Sequence, residues 1–245
     1  MNVLIIIIRG IFIVSVLSGC IAGIIDLTQQ QSSTAPSIHI MHGPYEKYIK
    51  RPLDCFLATA ALVVLSPLLC IVAILVKIKL GSPIIFKQER PGKNEKTFKL
   101  YKFRSMTDET DSSGNLMPNE VRLTTFGKKL RATSIDELPE LINIVKGDMA
   151  IIGPRPLLVR YLPYYHDSER KRHNVRPGLT GLAQITKNGN LDWNEKLAID
   201  VEYSESITFA KDFGIILGTI RAIFVRGDTI NDGFDPLDVE RKDEI

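Results

Sequence analysis

The sequence offers little that metal, redox or disulfide chemistry would need. It holds only three cysteines, Cys20, Cys55 and Cys70, each inside an apolar run and none spaced as Cys-x-x-Cys. An odd number placed this way excludes a complete disulfide framework and gives zinc no ligand set. The three read as small buried hydrophobes in a reducing compartment. Four histidines are present without a metal-binding pattern. His166 and His173 fall in the charged stretch HDSERKRH, where solvated side chains are expected. No P-loop, no Gly-x-Gly-x-x-Gly after a strand and no Gly-x-Ser-x-Gly elbow occurs. The nucleotide-binding and serine-hydrolase readings that rest on those motifs fall away. The 17 glycines and 13 prolines follow no period, which excludes collagen-like and low-complexity architecture.

What is there is an ordinary folding composition. With 245 residues, 44% hydrophobic and 24% charged, the chain suits one domain plus an appendage and is not disordered throughout. The net charge of +3 is unevenly spread. Residues 227–245 hold seven acids against Arg241 and Lys242, an acidic tail on a moderately basic body. Such a body suits an anionic partner, but the excess alone names none.

Apolar residues are concentrated in two segments. Residues 3–25 form one run interrupted only by Arg9, and residues 53–76 form a second with Asp54 at its start. Each reaches the ~20 residues that cross a bilayer, so this is a membrane protein. Lys47, Lys50 and Arg51 precede the second run, and nine lysines and arginines follow it between Lys77 and Arg104. Basic flanks favour the cytoplasmic side, so both ends of this segment belong inside. Ser66-Pro67 lies mid-segment, where proline removes a backbone donor and kinks a helix. A helix that enters, bends and leaves by the same face fits both facts; a kinked spanning helix is the alternative. In the first run Leu17-Ser18-Gly19-Cys20 resembles a lipoprotein cleavage site, but the segment has no positive start. A spanning helix over about 1–27 is favoured, followed by a linker over 28–46.

The soluble part begins with alternating apolar and basic residues over 77–104, which suits short strands or an interfacial helix. A polar loop covers 107–121. Then comes RATSIDELPELINIVKGD, where Leu138, Leu141, Ile142 and Val145 recur at helical spacing. Asp136 as N-cap places Pro139 in the first turn, where it is tolerated; a Ser134–Glu137 capping box places it too deep. A carboxylate at that position stays ionised, phosphate binds readily beside a helix start, and Arg131 stands close upstream. From the spacing alone, a well-capped helix with no chemistry is the favoured reading. Arg155 is clamped between Pro154 and Pro156, a rigid setting for a guanidinium fork that matches phosphate; a plain turn is the alternative. Residues 192–226 read as helical, with an apolar end.

Together the segments KRPLD…LSPLL, FKQERPG, FKLYKFRSM, RATSIDELPELINIVKGDMAIIGPRP, RPGLTGLAQI and LDWNEKLAIDVEY resemble the bacterial sugar transferases, monotopic polyprenyl-phosphate phosphoglycosyltransferases, from about Lys50 to Arg226. The resemblance implies transfer of a sugar 1-phosphate from a UDP-sugar to undecaprenyl phosphate, the first membrane step of surface polysaccharide or glycoconjugate synthesis. It implies Asp136 as nucleophile, UMP as leaving group, and Glu137 as helper that holds Mg²⁺ with Asp136 or assists proton transfer. Arg131 and Arg155 match the family's phosphate-binding arginines, and Lys102 and Arg104 join them as candidate substrate contacts. Ser66-Pro67 matches the break of the family's re-entrant helix. Two departures stand out: Glu140 replaces a common Gln, and Lys187-Asn188-Gly189-Asn190 replaces the usual Gly-Arg-Asn.

The expected fold is therefore α+β and membrane-associated. A re-entrant helix over about 52–78 would carry a small cytoplasmic domain of helices and short strands within 47–226, with an additional N-terminal helix. The expected partners are UDP-sugar, undecaprenyl phosphate and inner-membrane lipid at the cytoplasmic face, with no nucleic acid; homodimerisation is left open. Two alternatives compete. One is a catalytically silent membrane scaffold, which the intact Asp136, Glu137, Arg131 and Arg155 disfavour. The other is a periplasmic lipoprotein attached at Cys20, a topology that would starve an enzyme of cytoplasmic UDP-sugars.

Overall fold

The computed structural model of the chain describes residue 41 and residues 43–186, 191–225 and 236–242. The N-terminal apolar run with Cys20, most of the 28–46 linker and Lys187-Asn188-Gly189-Asn190 lie outside the described residues. A π-helical turn, Tyr45–Ile49, leads directly into helix α1, Lys50–Leu80. Together they are long and apolar enough to cross a membrane. The helix is two residues longer at each end than the expected 52–78, and Pro67 lies inside it. Ser66 Oγ donates to the Val63 carbonyl at 2.8 Å, a local bond of the kind that relieves backbone groups near a proline.

Both halves of α1 pack on the same body. Ala58 is buried with Leu100, Leu141, Ile144 and Met149, with Leu62 and Leu65 against them. Val72, Val76 and Leu80 are buried with Phe103 and Leu130. Many other apolar side chains of α1 are left uncovered, among them Val64 at 75% exposed and Ile78 at 70%. Cys55 is buried as expected, whereas Cys70 is exposed among these apolar residues.

The basic run after α1 folds as strands rather than an interfacial helix. Strand β1, Ile85–Pro91, pairs antiparallel with β2, Thr97–Phe103, in the register Arg90↔Phe98 and Lys87↔Tyr101. Its turn needs left-handed backbone at Asn94 and Glu95. Helix α2, Thr125–Ala132, starts at Thr124, whose Oγ1 accepts from the Gly127 N–H at 3.1 Å. A 3₁₀ turn, Ile135–Glu137, separates it from α3, Glu140–Lys146. Asp136 is thus not an N-cap. Pro139 itself stands at the N-cap of α3 with φ −62°, because its fixed φ and missing donor suit a helix start. The Ser134 side chain makes no capping bond either, and that residue is left-handed at φ 53°.

Asn143 fixes α3 against β2. Its Nδ2 donates to the Lys99 carbonyl at 2.8 Å, and its Oδ1 accepts from the Tyr101 N–H at 3.0 Å. The side chain takes the place of a neighbouring strand and sets the face of Lys102. Strand β3, Ala150–Ile152, then pairs parallel with β4, Gly178–Thr180. Residues 192–225, read as helical, hold two helices: α4, Trp193–Glu205, capped by Asp192, and α5, Phe209–Val225. The acidic tail does not trail away throughout. Residues Leu237–Glu240 form a short helix, α6, with Leu237 fully buried beside Tyr161 and Trp193. Arg241 binds Glu169 through two nitrogens at 2.7 and 2.8 Å.

The expectation of solvated histidines holds for His166 and fails for His173, which is 5% exposed. Its ring packs against Tyr165, and Arg172 beside it is buried on Asp200. Burial and that guanidinium hold the imidazole neutral, down to about 3. A run rich in charge can therefore enter a core where each cation has a partner.

Strands β3 and β4 meet at two glycines with no room to spare. A Cβ on Gly178 would lie 2.1 Å from the Gly153 nitrogen and 2.4 Å from the Thr180 oxygen, both backbone. Gly178→Ala should therefore lower stability by about 3 kcal/mol or more, the upper end of overpacking costs. Gly214→Ala, in open space on α5, should be neutral or gain up to about 1 kcal/mol. Thermal unfolding of both variants in detergent checks the contrast; equal midpoints would contradict the packing described.

Candidate active site

The 3₁₀ turn and the Asn143 bonds bring two carboxylates to one lysine and set a third beside them. Lys102 Nζ lies 2.7 Å from Glu137 Oε1 and 3.2 Å from Glu140 Oε1. Arg155 Nη2 reaches the same Glu137 oxygen at 2.8 Å. Asp136, one residue earlier, is only 7% exposed, yet among the described residues no donor hydrogen-bonds its carboxylate. Lys102, Arg131 and Arg155 attract it electrostatically without touching it.

These settings differ in consequence. Burial and the neighbouring Glu137 push the Asp136 carboxyl up, and the three cations only partly offset this. For Glu137 burial also opposes ionisation, but Arg155 and Lys102 win and hold its carboxyl well below the usual range. Glu140 is 3% exposed and shares Lys102 as the weaker claimant. Burial, aided by Glu137, pushes it up to about 7. The cluster thus holds one firmly ionised carboxylate, one desolvated carboxylate without hydrogen bonds, and one that titrates near neutrality.

The positively charged residues are placed by separate means. Arg131 ends α2 and donates from Nε to Ser105 Oγ at 2.9 Å. Arg155 follows β3 in the Gly153-Pro154-Arg155-Pro156 loop. Its carbonyl accepts from Arg172 Nη2 at 2.7 Å, and that guanidinium is anchored on Asp200 at 2.7 Å. Arg104 is not brought to the carboxylates. It donates to the carbonyls of Ser82 and Met106 and pairs with Asp108. Ser66 and Pro67 lie in the apolar middle of α1, away from the cluster's residues in sequence and exposed on the helix.

Sequence reasoning missed Arg172 and Asp200. The available signal was one acid on α4 among Leu197, Val201 and Tyr203, a position apolar periodicity would fill otherwise. It also missed how α1 is tied down. Asp212 on α5 accepts from Lys50 at 2.6 Å, Tyr45 at 2.8 Å and Tyr203 at 2.8 Å. Arg51 donates to the Ile144 and Val145 carbonyls at 2.6 and 3.0 Å.

Asp136 presents unbonded carboxylate oxygens, Glu137 has one oxygen not taken by Lys102 or Arg155, and no group of three or more His, Cys, Asp or Glu residues suited to a metal occurs among the described residues. One or two carboxylates, with the rest of the shell from phosphate and water, is the ordinary complement for magnesium.

Residues 45–226 match the bacterial sugar transferase family. The chain is 47% identical to an uncharacterized sugar transferase, EpsL, of Bacillus subtilis over 177 residues, 72% of this chain and 88% of the relative. It is 41% identical to the exopolysaccharide production protein PSS of Rhizobium leguminosarum over 197 residues, 73% of this chain and 96% of the relative. Identity to the UDP-glucose:undecaprenyl-phosphate glucose-1-phosphate transferase of Escherichia coli is 39% over 189 residues. That match covers 73% of this chain and 41% of the relative.

Glu140 makes the cluster pH-sensitive. An acid whose folded pKa rises from 4.5 to about 7 adds stability that is complete below 4.5 and lost as pH rises through 7. Glu140→Gln cannot ionise, so it should unfold later than the parent at pH 8, by roughly 1–3 kcal/mol, with the gap closing at pH 5. Chemical unfolding at the two pH values measures this; a gap independent of pH would mean Glu140 does not titrate there.

Proposed function

This chain belongs to the bacterial sugar transferase family, and we propose that it moves a sugar 1-phosphate from a UDP-sugar to undecaprenyl phosphate through an aspartyl phosphosugar on Asp136, releasing UMP. One observation carries this reading: a buried carboxylate without hydrogen bonds among the described residues, flanked by Lys102, Arg131 and Arg155. A desolvated carboxylate is a better nucleophile than a solvated one, and the surrounding cations lower the repulsion it meets at a phosphate. The Escherichia coli relative's name describes this class of transfer with glucose as the sugar.

The steps balance without a proton. An Asp136 oxygen attacks the sugar-bearing phosphorus, the bond to the bridging oxygen breaks, and UMP leaves with that oxygen and its electron pair. An oxygen of undecaprenyl phosphate then attacks the same phosphorus. The bond to Asp136 breaks, restoring the carboxylate and giving the diphosphate-linked lipid sugar. Glu137, held ionised, fixes Arg155 and Lys102 in place rather than carrying protons. Magnesium bound by Asp136 and Glu137 would add charge neutralisation at the phosphates.

Undecaprenyl phosphate stays in the bilayer, so the site has to sit at headgroup depth. Re-entrance of α1 achieves this on the cytoplasmic face of the inner membrane. Its support is that both halves pack on one body and that both flanks are basic. A silent scaffold has no use for an unpaired buried carboxylate, and the family relationship does not favour it.

Asp136→Asn should fold normally and lose UMP release by at least a thousandfold, since an amide is a poor nucleophile. Near-parental release with a panel of UDP-sugars and undecaprenyl phosphate would sink the assignment. Topology has its own test. Single cysteines at Lys47 and Lys96, in a background lacking Cys20, Cys55 and Cys70, should both resist a membrane-impermeant reagent in intact cells. Labelling at position 96 from outside would make α1 a spanning helix.

A further inference from the structure

Arg90, near the end of β1, is half-buried. Among the described residues no carboxylate forms an ion pair with it, although Glu140 attracts it electrostatically. Its single hydrogen bond runs from Nη2 to Gln88 Oε1 at 2.7 Å, and its Nε is buried without a partner. The next residues, Pro91 and Gly92, line a shallow depression together with Arg155, Pro156 and His173. Two more polar atoms in this region are buried without a hydrogen bond among the described residues, Tyr165 Oη and His173 Nδ1, the latter 3.7 Å from Glu95 Oε1. Tyr165 lies close enough to Arg90 to influence its charge, and its ring contacts His173.

Buried polar groups in folded proteins almost always find partners, and a buried charge without one is expensive. Here the largest influence on Arg90 after burial is repulsion by Arg155, which attraction by Glu140 only partly offsets, and together they bring its guanidinium down to about 10. Two guanidiniums that repel each other beside unmet donors form a place for a doubly charged oxyanion. Arg155 already uses Nη2 on Glu137, next to the nucleophile. Arg90 adds a second guanidinium beside Arg155, and it is not among the main cations that act on Asp136.

We propose that Arg90, with Arg155, binds a phosphate monoester other than the phosphate joined to Asp136. This rests on the transferase reading above, in which two such groups visit the site: that of the departing nucleotide and that of the arriving polyprenyl acceptor. Both are phosphate monoesters, and they occupy the site in turn. A guanidinium here recruits the monoester without touching the transferred phosphorus.

The test uses the full-length protein in detergent with Arg90→Gln and Arg90→Lys. Inorganic phosphate should raise the unfolding midpoint of the parent, raise it less for Arg90→Lys, and leave Arg90→Gln nearly unmoved. Equal phosphate stabilisation of parent and Arg90→Gln, or none for the parent, overturns the proposal whatever the enzyme transfers. A parent that binds phosphate but releases no UMP from any UDP-sugar would instead refute the transferase reading alone. Inhibition by UMP should weaken at least tenfold in Arg90→Gln while that by uridine is unchanged; weakening of both together would show a damaged hairpin and overturn the assignment. Two arms then separate the sources. If the nucleotide is the occupant, the burst of UMP released without acceptor needs more UDP-sugar in the variant. If the lipid is the occupant, that burst is unchanged and KM for undecaprenyl phosphate rises at least tenfold. Constants within twofold of the parent in both arms would exclude Arg90 from the site.

Discussion

Everything else in this protein is arranged around charged residues at the start of an apolar helix that must be neutralised inside the protein. Lys50, Arg51 and Asp54 are all buried at the head of α1. An unpaired charge there would cost several kcal/mol, so each is met: Lys50 by Asp212, Arg51 by two carbonyls of α3, Asp54 by Lys50 and the Ile151 N–H. These bonds reach α3, β3 and α5 at once. They fix the membrane helix to the elements that carry the carboxylate cluster and the Arg155 loop, so the depth of one sets the depth of the other.

The cluster itself follows the same logic at smaller scale. Lys102 cannot neutralise Glu137 and Glu140 equally, and Arg155 adds its charge to Glu137. Glu137 therefore keeps its charge, while Glu140 is pushed toward the neutral acid. Asp136, beside this pair, gains attraction from the cations, and among the described residues no hydrogen bond blunts its oxygens. Placement of the cations is indirect: Asp200 holds Arg172, Arg172 holds the Arg155 carbonyl, and the close approach of Gly153 to Gly178 sets the loop between them. The position of the Arg155 loop is thus set by groups up to two hydrogen bonds removed from it.

The covered and uncovered faces of α1 also divide the work. Ala58, Val72 and Val76 build the core, while Val64, Ile71, Ile74 and Ile78 remain exposed and apolar. On α5, Phe209, Phe213, Leu217 and Ile220 are likewise exposed at helical spacing. Contiguous apolar surface of this extent belongs against lipid, which agrees with a membrane-associated protein.

Much of this was legible in the residues. Long apolar runs, basic flanks, the Asp136-Glu137 pair and the Pro-Arg-Pro clamp are local signals, readable because hydrophobicity, charge and proline geometry act where they stand. Pairing was not legible. Nothing near Asn143 announces that its amide will stand in for a strand, nor that Lys102 will be shared by two glutamates. Arg104 and Lys102 look equivalent in the run FKLYKFR, yet one is spent on carbonyls and Asp108 and the other faces the cluster. His173 and Arg172 sit in what reads as a solvated run and end in the core. The reason is physical: sequence determines which groups carry charge, but the cost of burying that charge depends on partners 28 to 162 residues away, and only the folded chain brings those partners together.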